Sequence, residues 1–560
     1  MSSTSIAQPD GNSRALHQPT ARKPMNPQVL RAVSEVQSLE APPPAQLPSS
    51  SMSSSPPTPV PQDAPPSQQA TSAARRQLRA QQKHRLFPHI EYTSRVSHFD
   101  PRSEYRDFRG FFVLFWIGLA TMVITAMLRN LKETGYPLSI RQWGLFTENI
   151  WELAVSDGAM VASTAISLPL HRLYMNSGGW LRWNKGGMAV QSIFQALWLA
   201  YWVSWPFMRD WTWTAQVFFT LHLLAIFMKM HSYAFYNGHL SNTLERLSSL
   251  DSPSKARMAS TAAAVRYPSS RTRLQEIRQD DEEGEEEEET SEAENEKKEV
   301  LNQLREDLAM ELTGPMGRVT YPKNLTVANY VDYLLCPTLC YELEYPRTPQ
   351  RSYLELFYKT LAVFGCIFLM TVTSEAFIIP VLDDSAWRLQ SVQGWQEGGL
   401  IFAETVSTLL FPFMVIFLLV FLVIFEYVLG AFAEITCFAD RHFYADWWNS
   451  HDWLEFSREW NIPVHHFFRR HVYSASRPTF SRPVATLITF LLSALAHELV
   501  MGCITRKFRG YGFVAMMLQM PIVLVQRSRL MRGRGLLGNV LFWCSMILGL
   551  STMCALYVLV

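Results

Sequence analysis

The sequence predicts an all-α, polytopic membrane protein with about nine transmembrane helices and a disordered N-terminal tail. Three observations carry that expectation. The apolar residues are gathered into long blocks and do not follow the short period of a soluble core. These blocks approach the roughly 20 residues that a helix needs to cross bilayer hydrocarbon. Between and before them lie stretches too poor in apolar surface to offset chain entropy. The candidate spans lie near 111–128, 152–170, 188–208, 212–230, 356–382, 405–429, 484–501, 511–525 and 536–560.

Taken in order, residues 1–71 are rich in Pro, Ser, Ala and Gln, with runs such as Ala41-Pro42-Pro43-Pro44, and are expected to be disordered. The first residues do not have the form of a signal peptide, so the first span has to direct insertion. Residues 72–108 form a basic membrane-proximal segment carrying Arg75, Arg76, Arg79, Lys83 and Arg85, which by the positive-inside tendency places the N-terminus in the cytosol. Spans 1–4 occupy 109–247. Residues 248–300 are expected to form a disordered cytosolic linker, whose acidic run 280–289 repels itself and an anionic leaflet. The net charge of +1 excludes nothing, because the basic and acidic stretches cancel.

Residues 301–560 hold an amphipathic segment, spans 5–9 and the catalytic core. Leu301, Leu304, Leu308, Met310 and Leu312 recur at near-helical spacing, and 321–348 is too interrupted by Asp, Glu and Pro to span, so it is placed at the cytosolic interface. Nine crossings put Asp383, Asp384 and Glu397 outside and the basic loops 458–470 and 527–534 inside, as the charge rule requires. Arg506, Lys507 and Arg509 break that rule. The seven cysteines show no metal-like clustering. Cys336 and Cys340 are one helical turn apart without a second ligand pair, and all seven are read as reduced packing residues, with no metal implied.

The chemistry-bearing residues are Phe443-Tyr444-Ala445-Asp446-Trp447-Trp448-Asn449 and a histidine, His497, inside an apolar run. Polar groups near membrane depth cost free energy unless they have partners or a function. A buried imidazole is held neutral by desolvation, which leaves it a proton acceptor or a satisfied bridge between helices. Ser493, four residues earlier, shares its helical face and can hydrogen-bond the ring or its substrate, whereas Glu498 points about 100° away. Asn449 offers an amide donor for a developing oxyanion. Asp446 reads as a cap or loop hydrogen-bond partner, and Trp447 and Trp448 as pocket walls or interfacial anchors. The stretch with Arg458, Trp460, Asn461, His465, His466, Arg469, Arg470 and His471 can lie on an anionic leaflet or bind a phosphorylated nucleotide.

At these residues the chain resembles the membrane-bound O-acyltransferase family, in its sterol and diacylglycerol acyltransferase branch. Phe443 to Asn449 match the branch motif Phe-Tyr-x-Asp-Trp-Trp-Asn, and His497 matches its downstream histidine. Ala433 to Arg441, Tyr345-Pro346-Arg347 and Trp460 to His465 fit as well, and the likeness runs over roughly 109–560. The stretches 228–238, 342–348 and 470–473 look like fungal sterol acyltransferases, whereas 337–343 also fits a diacylglycerol acyltransferase.

The resemblance implies a membrane-bound O-acyltransferase fold in the endoplasmic reticulum that esterifies a sterol such as ergosterol or cholesterol. Long-chain acyl-CoA serves as co-substrate, with no permanently bound cofactor and no nucleic acid partner. It implies His497 and Asn449 as catalytic residues. Trp448, Ser493, Tyr444, Trp460, Asn461, His465 and Arg470 would form the acyl-CoA or substrate pocket, and His231, Tyr233 and Asn237 the acceptor pocket. It also implies contact with membrane lipids and a homodimer or homotetramer. Triacylglycerol synthesis is the alternative within the branch. A transporter would usually show repeated halves, and none is visible; a sterol-sensing scaffold would not need both Asn449 and His497.

Overall fold

In a computed structural model of the protein, each apolar block is helical. The structure describes Ile90, residues 92–97, 109–137, 143–251, 304–529, Met531 and 533–560, all within the compact unit Ile90–Val560. The expected tail 1–71, nearly all of the linker 248–300, Leu301 and most of 72–108 lie outside the described residues.

The long helices are α1 (Arg109–Thr134), α2 (Ile150–Asn176), α3 (Met188–Met208), α4 (Trp213–Asp251), α5 (Tyr353–Ser391), α6 (Trp395–Thr436), α7 (Arg482–Thr505), α8 (Tyr511–Gln526) and α9 (Gly535–Leu559). Among the described residues, 7 helices are long and apolar enough to cross a membrane, and α3 and α8 are the two expected spans outside that set. α3 has the length, 21 residues, but buries Gln191 and Gln195. α8 has only 16 residues, about 24 Å, and is short for a bilayer core of about 30 Å.

Three spans run further than the hydropathy blocks. α4 continues unbroken for 39 residues, about 58 Å, so its C-terminal part stands beyond the apolar layer. α5 passes Pro380 because a π-helical turn, Ser374–Ile378, precedes the proline and places it in the first turn of the following helical stretch. α6 absorbs a second π-helical segment at Leu422–Val428.

Contacts at the helix ends agree with strict alternation of direction. At one end, the Arg506 guanidinium donates to Asp210 Oδ1 (3.1 Å) and to the Trp211 carbonyl (3.0 Å), joining the α7–α8 turn to the α3–α4 turn. At the other, Arg182 pairs with Glu245 (2.6 Å) and Arg527 with Asp452 (2.8 Å). The turn that broke the charge rule thus has a packing reason. Arg506 is held by a carboxylate and a carbonyl, and Arg509 donates to the Leu556 carbonyl (3.4 Å).

The segment 321–348, expected at the cytosolic interface, packs into the protein itself. Tyr330, Tyr333, Cys336, Cys340, Tyr341, Leu343 and Tyr345 are buried, because the extension of α4 gives them a wall to pack on. Lys229 of α4 donates to the carbonyls of Tyr333 (3.0 Å) and Cys336 (2.6 Å), at the C-terminal, negative end of the helix Val327–Leu335. The seven cysteines are free, and burial pushes the Cys340 thiol up to about 12. Of the amphipathic positions, Leu308 and Leu312 are buried and Met310 is exposed. Among the described residues β-structure is limited to isolated bridges, two of which tie Arg95 to Asp440 and Arg347 to Phe438.

Candidate active site

α6 ends at Cys437, whose left-handed φ of 56° turns the chain back under the helices. Trp447–Asn449 then forms one turn of 3-10 helix. Trp447 is 1% exposed and sits among Trp460 (ring centroids 4.9 Å), Phe421 (5.1 Å), Phe417 (5.5 Å) and Trp543 (5.6 Å). Such aromatic pairs contribute about 0.5–1.5 kcal/mol each beyond their burial. Trp447 is therefore a core residue, and the interfacial-anchor alternative does not hold for it.

The half-buried Trp448 is held by its backbone. Its carbonyl accepts from Asn539 Nδ2 (3.0 Å) and Trp543 Nε1 (3.1 Å), both on α9, and Asn539 also reaches the Ser450 carbonyl (2.9 Å). The Asp446 side chain makes no cap bond, so of its two expected roles the cap is not found; its carbonyl accepts from the Asn449 amide (2.9 Å). With the backbone pinned from behind, the Asn449 side chain is exposed.

His497 lies on α7, eight residues before the helix ends at Thr505, about 12 Å along the axis. The expected burial is not found, and the imidazole is exposed. A polar ring turned toward hydrocarbon at that depth is costly, so this face of α7 fits a polar or substrate-filled space better than lipid. His497 Nδ1 lies 2.8 Å from the Ser493 carbonyl oxygen. A carbonyl can only accept, so Nδ1 carries the hydrogen and the neutral ring keeps its free lone pair on Nε2.

The Ser493 contact is thus made by the backbone and not by the hydroxyl. Ser493→Ala keeps that carbonyl, and we expect turnover within about twofold of wild type, because surface-like changes that remove no bond cost little. Steady-state assay of the purified variant checks this. Glu498 has a separate structural task. It accepts from the amides of Gly510 (2.7 Å) and Phe513 (3.1 Å) at the start of α8, and from Tyr557 Oη (2.9 Å) on α9.

Asn449 and His497 stand on linked elements. α7 packs on α8, and α8 holds the chain after Asn449 through Gln526 Oε1, which accepts from the Trp453 amide (3.2 Å). Among the described residues no hydrogen bond joins Asn449 to His497 directly.

Several expected pocket residues are committed elsewhere. Tyr444 is 1% exposed and donates to Glu426 Oε2 (3.2 Å). Trp460 stacks on Phe417 (4.5 Å, 15°). The Asn461 side chain caps the helix Ile462–Phe467, accepting from the Val464 amide (3.1 Å). His465 is half-buried, and burial, with Arg469 and Arg458 nearby, lowers it to about 4. Arg470 is 1% exposed, donates to Glu342 Oε1 (2.8 Å) and the Tyr341 carbonyl (3.1 Å), and covers the Tyr236 ring at 4.4 Å. It is therefore not placed to meet a phosphate.

The expected acceptor pocket is closed by protein. Tyr233 and Asn237 are both 0% exposed. Tyr233 packs against Tyr330 (4.7 Å) and Tyr341 (4.8 Å), and Asn237 bonds the Tyr233 carbonyl (2.9 Å) and Asn324 (2.7 Å). The half-buried His231 meets Gln195 Oε1 (3.0 Å) and stacks on Phe235 (4.2 Å). Tyr233 and Asn237 thus dock 321–345 onto α4, whereas His231 faces α3. The sequence reading missed Asn539 and Trp543, although an isolated asparagine in an apolar helix is the same signal that exposed His497. Among the described residues no three His, Cys, Asp or Glu side chains come together as a metal would need.

A family model described as MBOAT, membrane-bound O-acyltransferase family, matches residues 188–559. "Probable sterol O-acyltransferase 2" of Schizosaccharomyces pombe is 37% identical over 458 residues, 81% of this chain and 87% of that protein. "Sterol O-acyltransferase 2" of Candida albicans is 33% identical over 80% of this chain and 75% of its own length. "Diacylglycerol O-acyltransferase 1" of Dictyostelium discoideum is 33% identical, but over only 46% of this chain and 40% of that protein.

Proposed function

The chain belongs to the membrane-bound O-acyltransferase family, and from that membership we propose that it transfers a long-chain fatty acyl group from acyl-CoA to the 3-hydroxyl of a sterol. Likeness to sterol acyltransferases extends over about four-fifths of the chain, whereas the diacylglycerol relative matches less than half. The observation that carries the chemistry is the hydrogen bond from His497 Nδ1 to the Ser493 carbonyl, which leaves Nε2 as a base.

A secondary hydroxyl is a weak nucleophile, so Nε2 takes its proton as the oxygen attacks the thioester carbonyl. The Asn449 amide donates to the charge that grows on that carbonyl oxygen. The intermediate then collapses, the carbon–sulfur bond breaks, and the imidazolium returns its proton to the departing CoA thiolate. No covalent acyl-enzyme is required, and an apolar chamber keeps water from the thioester. On this reading the protein resides in the endoplasmic reticulum membrane with its N-terminus in the cytosol. It uses acyl-CoA as co-substrate without a resident cofactor and works as a homodimer or homotetramer among membrane lipids.

Purified protein given labelled oleoyl-CoA and, in parallel, ergosterol, cholesterol and diacylglycerol should make steryl ester far faster than triacylglycerol. The opposite preference moves the protein to the diacylglycerol branch and leaves the His497 chemistry standing. Asn449→Ala should lower kcat by about a hundredfold if the amide supplies one oxyanion donor. A change confined to the KM for acyl-CoA would make it a binding group instead.

A further inference from the structure

The chain that carries the Trp447–Asn449 turn has no helix of its own between Thr436 and Trp447, so its position depends on side-chain and backbone contacts from elsewhere. Part of that support comes from the segment before α1. Arg95 grips Asp440 with both arms of its guanidinium (Nε to Oδ1 2.9 Å, Nη2 to Oδ2 2.6 Å). The Arg95 amide donates to the Ala439 carbonyl (3.0 Å), and the Arg441 amide donates to the Arg95 carbonyl (2.9 Å). The Thr93 amide adds a bond to Asp440 Oδ2 (3.1 Å). Ser97 then reaches inward, donating to Glu426 Oε2 (2.5 Å) and lying 3.1 Å from Tyr444 Oη.

Glu426 joins these parts. Its carboxylate accepts from both Ser97 and Tyr444 and faces Lys359 Nζ of α5 at 3.7 Å. Ser97, Glu426, Asp440 and Tyr444 are all buried. A charged carboxylate in that setting is tolerated only while its partners stay in place, so the four groups form one mechanical unit. Three residues beyond Tyr444 the chain enters the Trp447 ring cluster.

We infer that residues 92–97 form a strap which, through Ser97, Glu426 and Tyr444, positions the turn bearing Asn449. The inference rests on the acyltransferase reading of that turn. Ser97, Glu426 and Tyr444 are positioning residues and need not touch substrate. Small displacements of a reacting group are expensive, about a hundredfold in rate for 1 Å, and removing one bond of the unit should cost part of that.

The test uses the full-length protein with Ser97→Ala, Tyr444→Phe and the double variant, and Arg95→Lys as a milder change that removes the two-armed grip. Each single variant should lower kcat per folded molecule by about tenfold, with the KM for oleoyl-CoA within about twofold of wild type. The double variant should depart from the product of the two single effects, because both hydroxyls act on Glu426. Amide hydrogen exchange at residues 445–450 should quicken in the same variants, a readout independent of turnover. Unchanged exchange and unchanged kcat, or a lower melting temperature with wild-type kcat per folded molecule, would overturn the strap. Wild-type protein inactive toward acyl-CoA would sink the acyltransferase reading instead, while faster exchange in the variants would still support the strap.

Discussion

His497→Ala is expected to lower ester formation by about a hundred- to ten-thousand-fold, the usual range for loss of a general base, while the protein still inserts and folds. The structure supplies the reason for both halves of that result. Among the described residues the ring bonds only the carbonyl of Ser493 on its own helix, and its exposed position means that truncation opens no core cavity. Turnover and the fraction of monodisperse detergent-solubilised protein should be measured together. Near-normal turnover would remove His497 from the mechanism. His497→Gln should be equally inactive, since an amide can keep a hydrogen bond but cannot take the proton.

Arg470→Ala is expected to fail in a different way. The guanidinium and the Glu342 carboxylate are buried together, with side chains 1% and 2% exposed and 2.8 Å apart. Removing one member of such a pair leaves an uncompensated charge and typically costs about 3–5 kcal/mol, a large part of a total stability of about 5–15 kcal/mol. The variant should therefore yield little folded protein, and Glu342→Gln should be affected in the same direction. Pairing Arg470→Met with Glu342→Leu should recover folded protein, because an apolar pair of similar volume removes the stranded charge. Thermal unfolding in detergent and the KM for acyl-CoA separate the two roles: a stable Arg470→Ala protein with a raised KM would restore Arg470 as a phosphate ligand.

These two variants mark where reading the sequence works and where it stops. His497 stands out because a histidine inside an apolar run is legible without knowing what surrounds it. The Asn461 cap bond to Val464 is local, an asparagine before a helix with proline in its first turn, and is open to reading from the sequence. Arg470 is legible only as a basic residue in an aromatic stretch, and its burial against Glu342, 128 positions away, is decided by the fold. The same limit explains Tyr233 and Asn237. Their polarity just past the apolar run 212–230 resembles a pocket until 321–345 is seen to fill the space.

The sequence by itself determined the class of structure and the family chemistry. Apolar runs long enough to span a bilayer are a one-dimensional property, since every backbone bond in such a run must be closed within its own helix, and the Phe443–Asn449 and His497 signals are local in the chain. Only the tertiary structure decided that α9 pins Trp448 from behind and that the segment before α1 grips Asp440 and Glu426. Those depend on distances between residues far apart in sequence, where burial and hydrogen-bond partners are set by packing and leave no periodic trace in the chain.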